Sequence, residues 1–179
     1  MDIPPILKDN IESGRAVLLL GAGASLEAMD SKGNTAPSTE ELKSLLARKF
    51  LSPAFEQYPL SQVAEIAISE ADLLTVQEYI REVFEPLEPT QGHGLLCSFR
   101  WHGLATTNFD RLVEKAYLKH RDRVQTIVPF IDNGDRVDEK LRDPKAVQYL
   151  KLHGCITRTA NPDAPLILTT DQYVGQNSS

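Results

Sequence analysis

Two periods of apolar spacing alternate along this chain. "IPPILKDNIESG" predicts a short leading helix closed by Gly14, and "RAVLLL", residues 15–20, is an unbroken aliphatic run of the kind that forms a parallel strand covered on both faces. A polar loop, "MDSKGNTAPS", follows the turn after that strand. Ser38 and Glu41 make a capping-box pattern ahead of Leu42, Leu45, Leu46 and Phe50, so a helix is expected to start near Thr39. Two further helical patterns, one around Val63, Ile66 and Ala67 and one around Leu73, Val76, Ile80 and Val83, end at Pro86 and Pro89. These segments predict a helical insertion over about residues 38–90, after the first strand.

Strand character returns in "HGLATTNFD", which runs into a helix with Leu112, Val113, Ala116 and Tyr117 on one face. "VQTIVPF" is a third strand and "AVQYLKLHG" a fourth, ending at His153, with a charged loop from Asp132 to Lys145 between them. "PLILTTDQY" offers a short fifth strand. Strands alternating with helices define an α/β domain, with residues 1–179 read as one unit.

Composition narrows the function classes. The chain has 179 residues, 41% hydrophobic and 25% charged, close to a soluble average. A net charge of -6 argues against a broad phosphate-binding face, so no direct nucleic-acid binding is expected. The longest run free of polar side chains, Ala16 to Ala24, falls far short of the roughly 20 residues of a membrane span. No secretory signal opens the chain, and a reducing cytoplasm is the expected compartment. Cys97 and Cys155 are too few for a disulfide framework or a four-cysteine zinc module, and are expected to be small buried apolar residues.

Candidate chemistry gathers at the ends of the predicted strands. Gly21, Ala22, Gly23, Ala24 and Ser25 leave the backbone bare after the first strand, where open α/β sheets take ligands. Such a turn can bring N–H groups against a phosphate, or it can be only a tight turn. Leu26 stands where a dinucleotide fingerprint has its third glycine, and no Gly-Lys-Ser/Thr follows to make a Walker loop. At the second strand end, Asn108 can donate and accept at once, which suits orienting a ribose hydroxyl or a water. Asp110 reads equally as a ligand contact or as a cap on the following helix. Thr106 and Thr107 satisfy loop backbone on the simplest reading. His153 is the best general base in the chain, since imidazole titrates near neutrality, although most histidines are structural. His93, His102 and His120 are read as surface or core residues.

"GAGAS", "TTNFD" and "LHG", in that order on successive strand ends, resemble the sirtuin family, and more closely its bacterial sirtuin-like branch. "APSTEEL" and "LILTTDQY" are similar to segments of that branch, and the resemblance spans roughly residues 15–175. It implies a Rossmann-like sheet that binds NAD+ as substrate and cleaves its nicotinamide–ribose bond. Gly21, Ala22, Gly23 and Ser25 would cradle the pyrophosphate and adjoining ribose. Asn108 and Asp110 would lie at the nicotinamide end, and His153 would be the general base.

Departures from the family shape that expectation. Sirtuin deacylases carry four zinc-binding cysteines after the histidine-glycine pair and an Asp-Phe-Arg run after the glycine turn; this sequence has Cys155 alone and "APST". No zinc is therefore expected, and a protein deacylase becomes the weaker alternative. The zinc-free branch implies an NAD+ hydrolase of antiphage defence, controlled by a homo-oligomer or a partner protein. A non-catalytic subunit that binds NAD+ or ADP-ribose is the other alternative. The family's later Gly-x-Ser-x-x-Asp-like strand is not found, so the sheet is expected to be short at its C-terminal side, as in a fragment of a longer protein.

Overall fold

The computed structural model describes residues 3–132, 134–161 and 165–169. Its centre is a parallel sheet of four strands, β1 (Val17–Leu20), β2 (Gly103–Thr106), β3 (Thr126–Phe130) and β4 (Ala146–Lys151), in the order β1-β2-β4-β3. Leu18 pairs with Leu104, which pairs with Tyr149, so register is continuous from the edge to the middle. The three strands that lead into the glycine turn, the Asn108 turn and His153 are therefore neighbours. The mixed α/β architecture is the one the alternating periods predict, and its parallel sheet is Rossmann-like, as the resemblance implies.

Helices surround the sheet as α1 (Pro5–Glu12), α2 (Thr39–Phe50), α3 (Leu60–Glu70), α4 (Leu73–Phe84), α5 (Gln91–Leu96) and α6 (Leu112–Lys119). At α2 the capping box forms: Glu41 N–H donates to Ser38 Oγ at 3.2 Å, and Ser38 N–H donates to Glu41 Oε2 at 2.7 Å. Leu46, Val63, Ala64, Ala67, Val76 and Ile80 are fully buried where α2, α3 and α4 pack together. A second core lies between the sheet and the pair α5 and α6, built from Leu104, Val147 and Tyr149 against Cys97, Val113, Ala116 and Tyr117. Both cysteines are buried and free.

Several expectations need correction. β1 is an edge strand, with Val17 and Leu19 63% and 65% exposed, because its unbroken aliphatic run is covered on one face only. The fourth strand ends at Lys151, two residues before His153, since the chain turns through Gly154 at φ +81°. No fifth strand forms over 165–169; Thr170 to Tyr173 lie outside the described residues. α5 is not among the predicted helices: Thr90 caps it, and Thr90 N–H donates to the ring Nδ1 of the buried His93 at 3.2 Å. A histidine replaces the Glu or Gln of the usual capping signal.

Candidate active site

The three motif-bearing turns are joined by hydrogen bonds above the ends of β1, β2 and β4. Thr107 N–H and the Thr106 hydroxyl both donate to Leu20 carbonyl, at 3.2 and 3.1 Å, which fastens the second turn to the end of β1. Thr106 Oγ1 then accepts from Asn108 N–H at 3.0 Å, as the simplest reading of that threonine holds. The Asn108 side-chain amide donates to the Gly21 carbonyl and to Ser25 Oγ, each at 2.9 Å. The Ser25 hydroxyl in turn donates to Asp110 Oδ2 at 2.7 Å. Asp110 Oδ1 accepts from Leu112 N–H at 2.9 Å. Asp110 thus satisfies a first-turn donor of α6, as the capping reading holds, and also anchors the glycine turn through Ser25.

This relay decides which atoms remain available. Both amide hydrogens of Asn108 are occupied by the glycine turn, and no described residue donates to its Oδ1, leaving that oxygen able to accept. The glycine turn is a short 3-10 turn over Ala22–Ala24. Its first N–H groups, on Ala22 and Gly23, have no acceptor within the turn. Gly21 has φ -116° and is extended, and a Cβ added at Gly23 would meet nothing within 4 Å. The unliganded backbone does not itself require glycine at Gly23. Ser25 is buried, its hydroxyl engaged at both ends.

A cavity of about 350 Å³ opens here. Its lining joins Ala22, Ser25, Asn108, Asp110 and His153 with the apolar side chains of Leu42, Leu60, Phe84, Ile167 and Leu168. Of the predicted site residues, Gly21 and Gly23 do not reach its lining. His153 sits with its ring centroid 6.5 Å from that of Phe109. Burial lowers its pKa from the usual 6.5, which keeps the imidazole neutral at pH 7 and able to take a proton. Gly154 has a structural requirement that Gly23 lacks: a Cβ there would lie 2.8 Å from the Pro165 carbonyl oxygen. That clearance lets residues 165–168 lie alongside, with Ile167 N–H donating to the His153 carbonyl at 3.0 Å.

Two contributors went unmarked in the sequence reading. Gln77 is buried, donates to Thr159 carbonyl at 3.1 Å and accepts from Leu166 N–H at 2.5 Å, holding the segment that supplies Ile167 and Leu168. Lys151 is also buried; it shares the inward phase of β4 with Val147 and Tyr149, and that period-2 position was the available signal. Among the described residues, no group of three or more His, Cys, Asp or Glu could hold a metal ion, and no helix is long and apolar enough to cross a membrane.

Residues 102–179 match the family model described as a SIR2-like domain. The match includes β2, β3, β4, Asn108, Asp110 and His153, and begins after the glycine turn. No curated protein matches the chain. Residues 102–179 are thus similar to a SIR2-like domain, in keeping with the parallel α/β sheet to which they contribute three strands.

Proposed function

We propose that this chain hydrolyses NAD+ at the nicotinamide–ribose bond, giving nicotinamide and ADP-ribose. The observation that carries the reading is the Asn108 amide tying a bare glycine turn to a cavity that also holds a neutral, half-buried histidine. The similarity of residues 102–179 to a SIR2-like domain supports NAD+ as the ligand. In this reading the Ala22 and Gly23 N–H groups face the pyrophosphate, and the space above Gly23 admits it. Ser25 acts less as a phosphate donor than as the link between Asn108 and Asp110, because its hydroxyl is already engaged.

Nicotinamide leaves a cationic ribosyl centre as a neutral molecule, so its departure needs little acid assistance. The bond from ribose C1′ to the pyridinium nitrogen breaks with its electron pair going to nicotinamide, and a water forms the new bond to C1′ through an oxocarbenium-like state. Asn108 Oδ1 accepts a hydrogen bond from that water or from a ribose hydroxyl. His153 takes the proton the water loses. The apolar wall of Leu42, Leu60 and Phe84 limits stray solvent around the reacting carbon. We extend the reading to a regulated effector of antiphage defence working as an oligomer or with a partner, consistent with the edge strand β1, which among the described residues pairs on one side only.

The experiment is direct measurement of nicotinamide release from NAD+ by the wild-type chain and by His153→Ala. The variant is expected to lose about 100- to 10,000-fold in rate, the usual contribution of a general base, while still binding NAD+. Full cleavage by His153→Ala would remove histidine from the mechanism. Release that depends on an added acetyl-lysine peptide would mark a deacylase instead.

A further inference from the structure

Outside the lining of the cavity lies a buried charge cluster with no part in the scheme above. The Lys151 side chain is completely shielded from solvent and that of Glu114 nearly so. Lys151 Nζ lies 3.3 Å from Glu114 Oε1, donates to the backbone carbonyl of Asp110, and sits 5.6 Å from the centre of the Tyr149 ring. Glu114 Oε2 is buried with no hydrogen-bond partner among the described residues. Removing an ammonium from water costs several kcal/mol after relaxation, and a pair left one bond short does not recover that fully. An apolar residue of the same length on β4 would suit the core better. Stability alone therefore gives a poor account of lysine at this position.

Its geometry offers a better one. Lys151 is the last residue of β4 and stands two residues before His153, while the carbonyl it holds belongs to the turn that carries Asn108 and Asp110. Leu152 N–H also donates to the Thr106 carbonyl at 2.9 Å, but this backbone bond fixes only the base of that turn. Lys151 fixes its far end, at the residue whose carboxylate holds Ser25 and, through it, the glycine turn. One ammonium thus spans the two loops whose side chains must meet across the ribose.

We propose that Lys151 is a positioning residue for NAD+ cleavage: its ammonium, held by Glu114, locks the Asp110 end of the Asn108 turn onto the strand that delivers His153. The inference rests on the hydrolase reading and deepens it. A displacement of the order of 1 Å between groups flanking a reacting carbon can cost about 100-fold in rate without abolishing binding.

The test separates this role from folding. Lys151→Met leaves Glu114 buried and unpaired and is expected to lower thermal stability; Lys151→Met with Glu114→Gln removes both charges and is expected to recover most of it. In the full chain, the double variant is predicted to keep KM for NAD+ within about threefold of wild type and to lose about 10- to 100-fold in kcat for nicotinamide release. Amide exchange over residues 107–112 should rise in the same variant, a readout independent of turnover. Glu114→Gln alone still accepts from Lys151 and should hold kcat within about threefold. Recovery of kcat together with stability in the double variant overturns the assignment, as does unchanged exchange of that turn. Those outcomes leave wild-type cleavage intact, whereas absence of cleavage by wild type overturns the hydrolase reading and this inference together.

Discussion

The two walls of the cavity are built on opposite principles. On the sheet side, Asn108, Ser25 and Asp110 are placed by a chain of bonds between 2.7 and 2.9 Å, each donor matched to one acceptor. On the helical side, Leu42 and Phe84 are placed by volume, packed with Leu46, Val63 and Ile80 in one apolar core. Directional bonds fix atoms to a fraction of an ångström and leave little tolerance for exchange. Close packing fixes shape and excludes water, and it tolerates exchange among residues of similar volume. The difference implies that substitutions in the helical wall act first through stability, and substitutions in the polar wall first through chemistry.

The largest expected effect breaks the comparison from the helical side. Leu46→Ala deletes a fully buried side chain and should cost about 2–5 kcal/mol in stability, read from denaturant unfolding. Where the variant remains folded, its affinity for NAD+ should change little; a large loss of affinity at unchanged stability would reverse the division of labour.

Asn108→Ala attacks the polar wall. It takes the amide donor from Ser25 Oγ and one of two donors from the Gly21 carbonyl, which keeps Ala24 N–H at 2.9 Å, costing about 1–3 kcal/mol in stability, less than the apolar truncation at its upper end. Nicotinamide release should fall about 100-fold, the scale of a lost orienting contact. A proportionate loss of stability with unimpaired turnover would show the amide to be only a staple.

Acidification gives the smallest effect and has a definite sign. Burial lowers the pKa of both His153 and His93 from 6.5, so the unfolded chain takes up protons near that value while the folded chain withholds them until lower pH. The unfolded state then binds more protons, and stability is lost as pH falls from about 6.5 toward the lower folded values. Melting temperature should drop across that window and stay level above it. The acid limb of nicotinamide release should likewise lie below the ordinary imidazole value, and a limb above 6.5 would contradict a buried neutral base.

The same contrast governs what could be read from the residues alone. Local, directional signals were legible: the Ser38–Glu41 capping box, the sheet strands at 103–106 and 126–130, and the order of the three turn motifs. Nonlocal coverage was not. The run Val17 to Leu20 reads the same whether a strand lies in the middle of a sheet or at its edge, and the exposed phase of Val17 and Leu19 depends on which elements pack above them. Nothing near Asn108 in sequence discloses that its donors are occupied by Gly21 and Ser25, more than 80 positions away. Asp110, close to α6 in sequence, could be read as a cap; its second bond to Ser25 could not.

Gly23 tests the central claim most directly, because the open space above it has no structural use in the unliganded fold. Calorimetric titration of NAD+ into wild type and Gly23→Val, with melting temperatures measured alongside, isolates that space from the rest of the chain. The account predicts an unchanged melting temperature for the variant and at least about a tenfold loss of NAD+ affinity, some 1.4 kcal/mol. Equal affinity in the two proteins would contradict it, for the bare turn would then face something other than the dinucleotide.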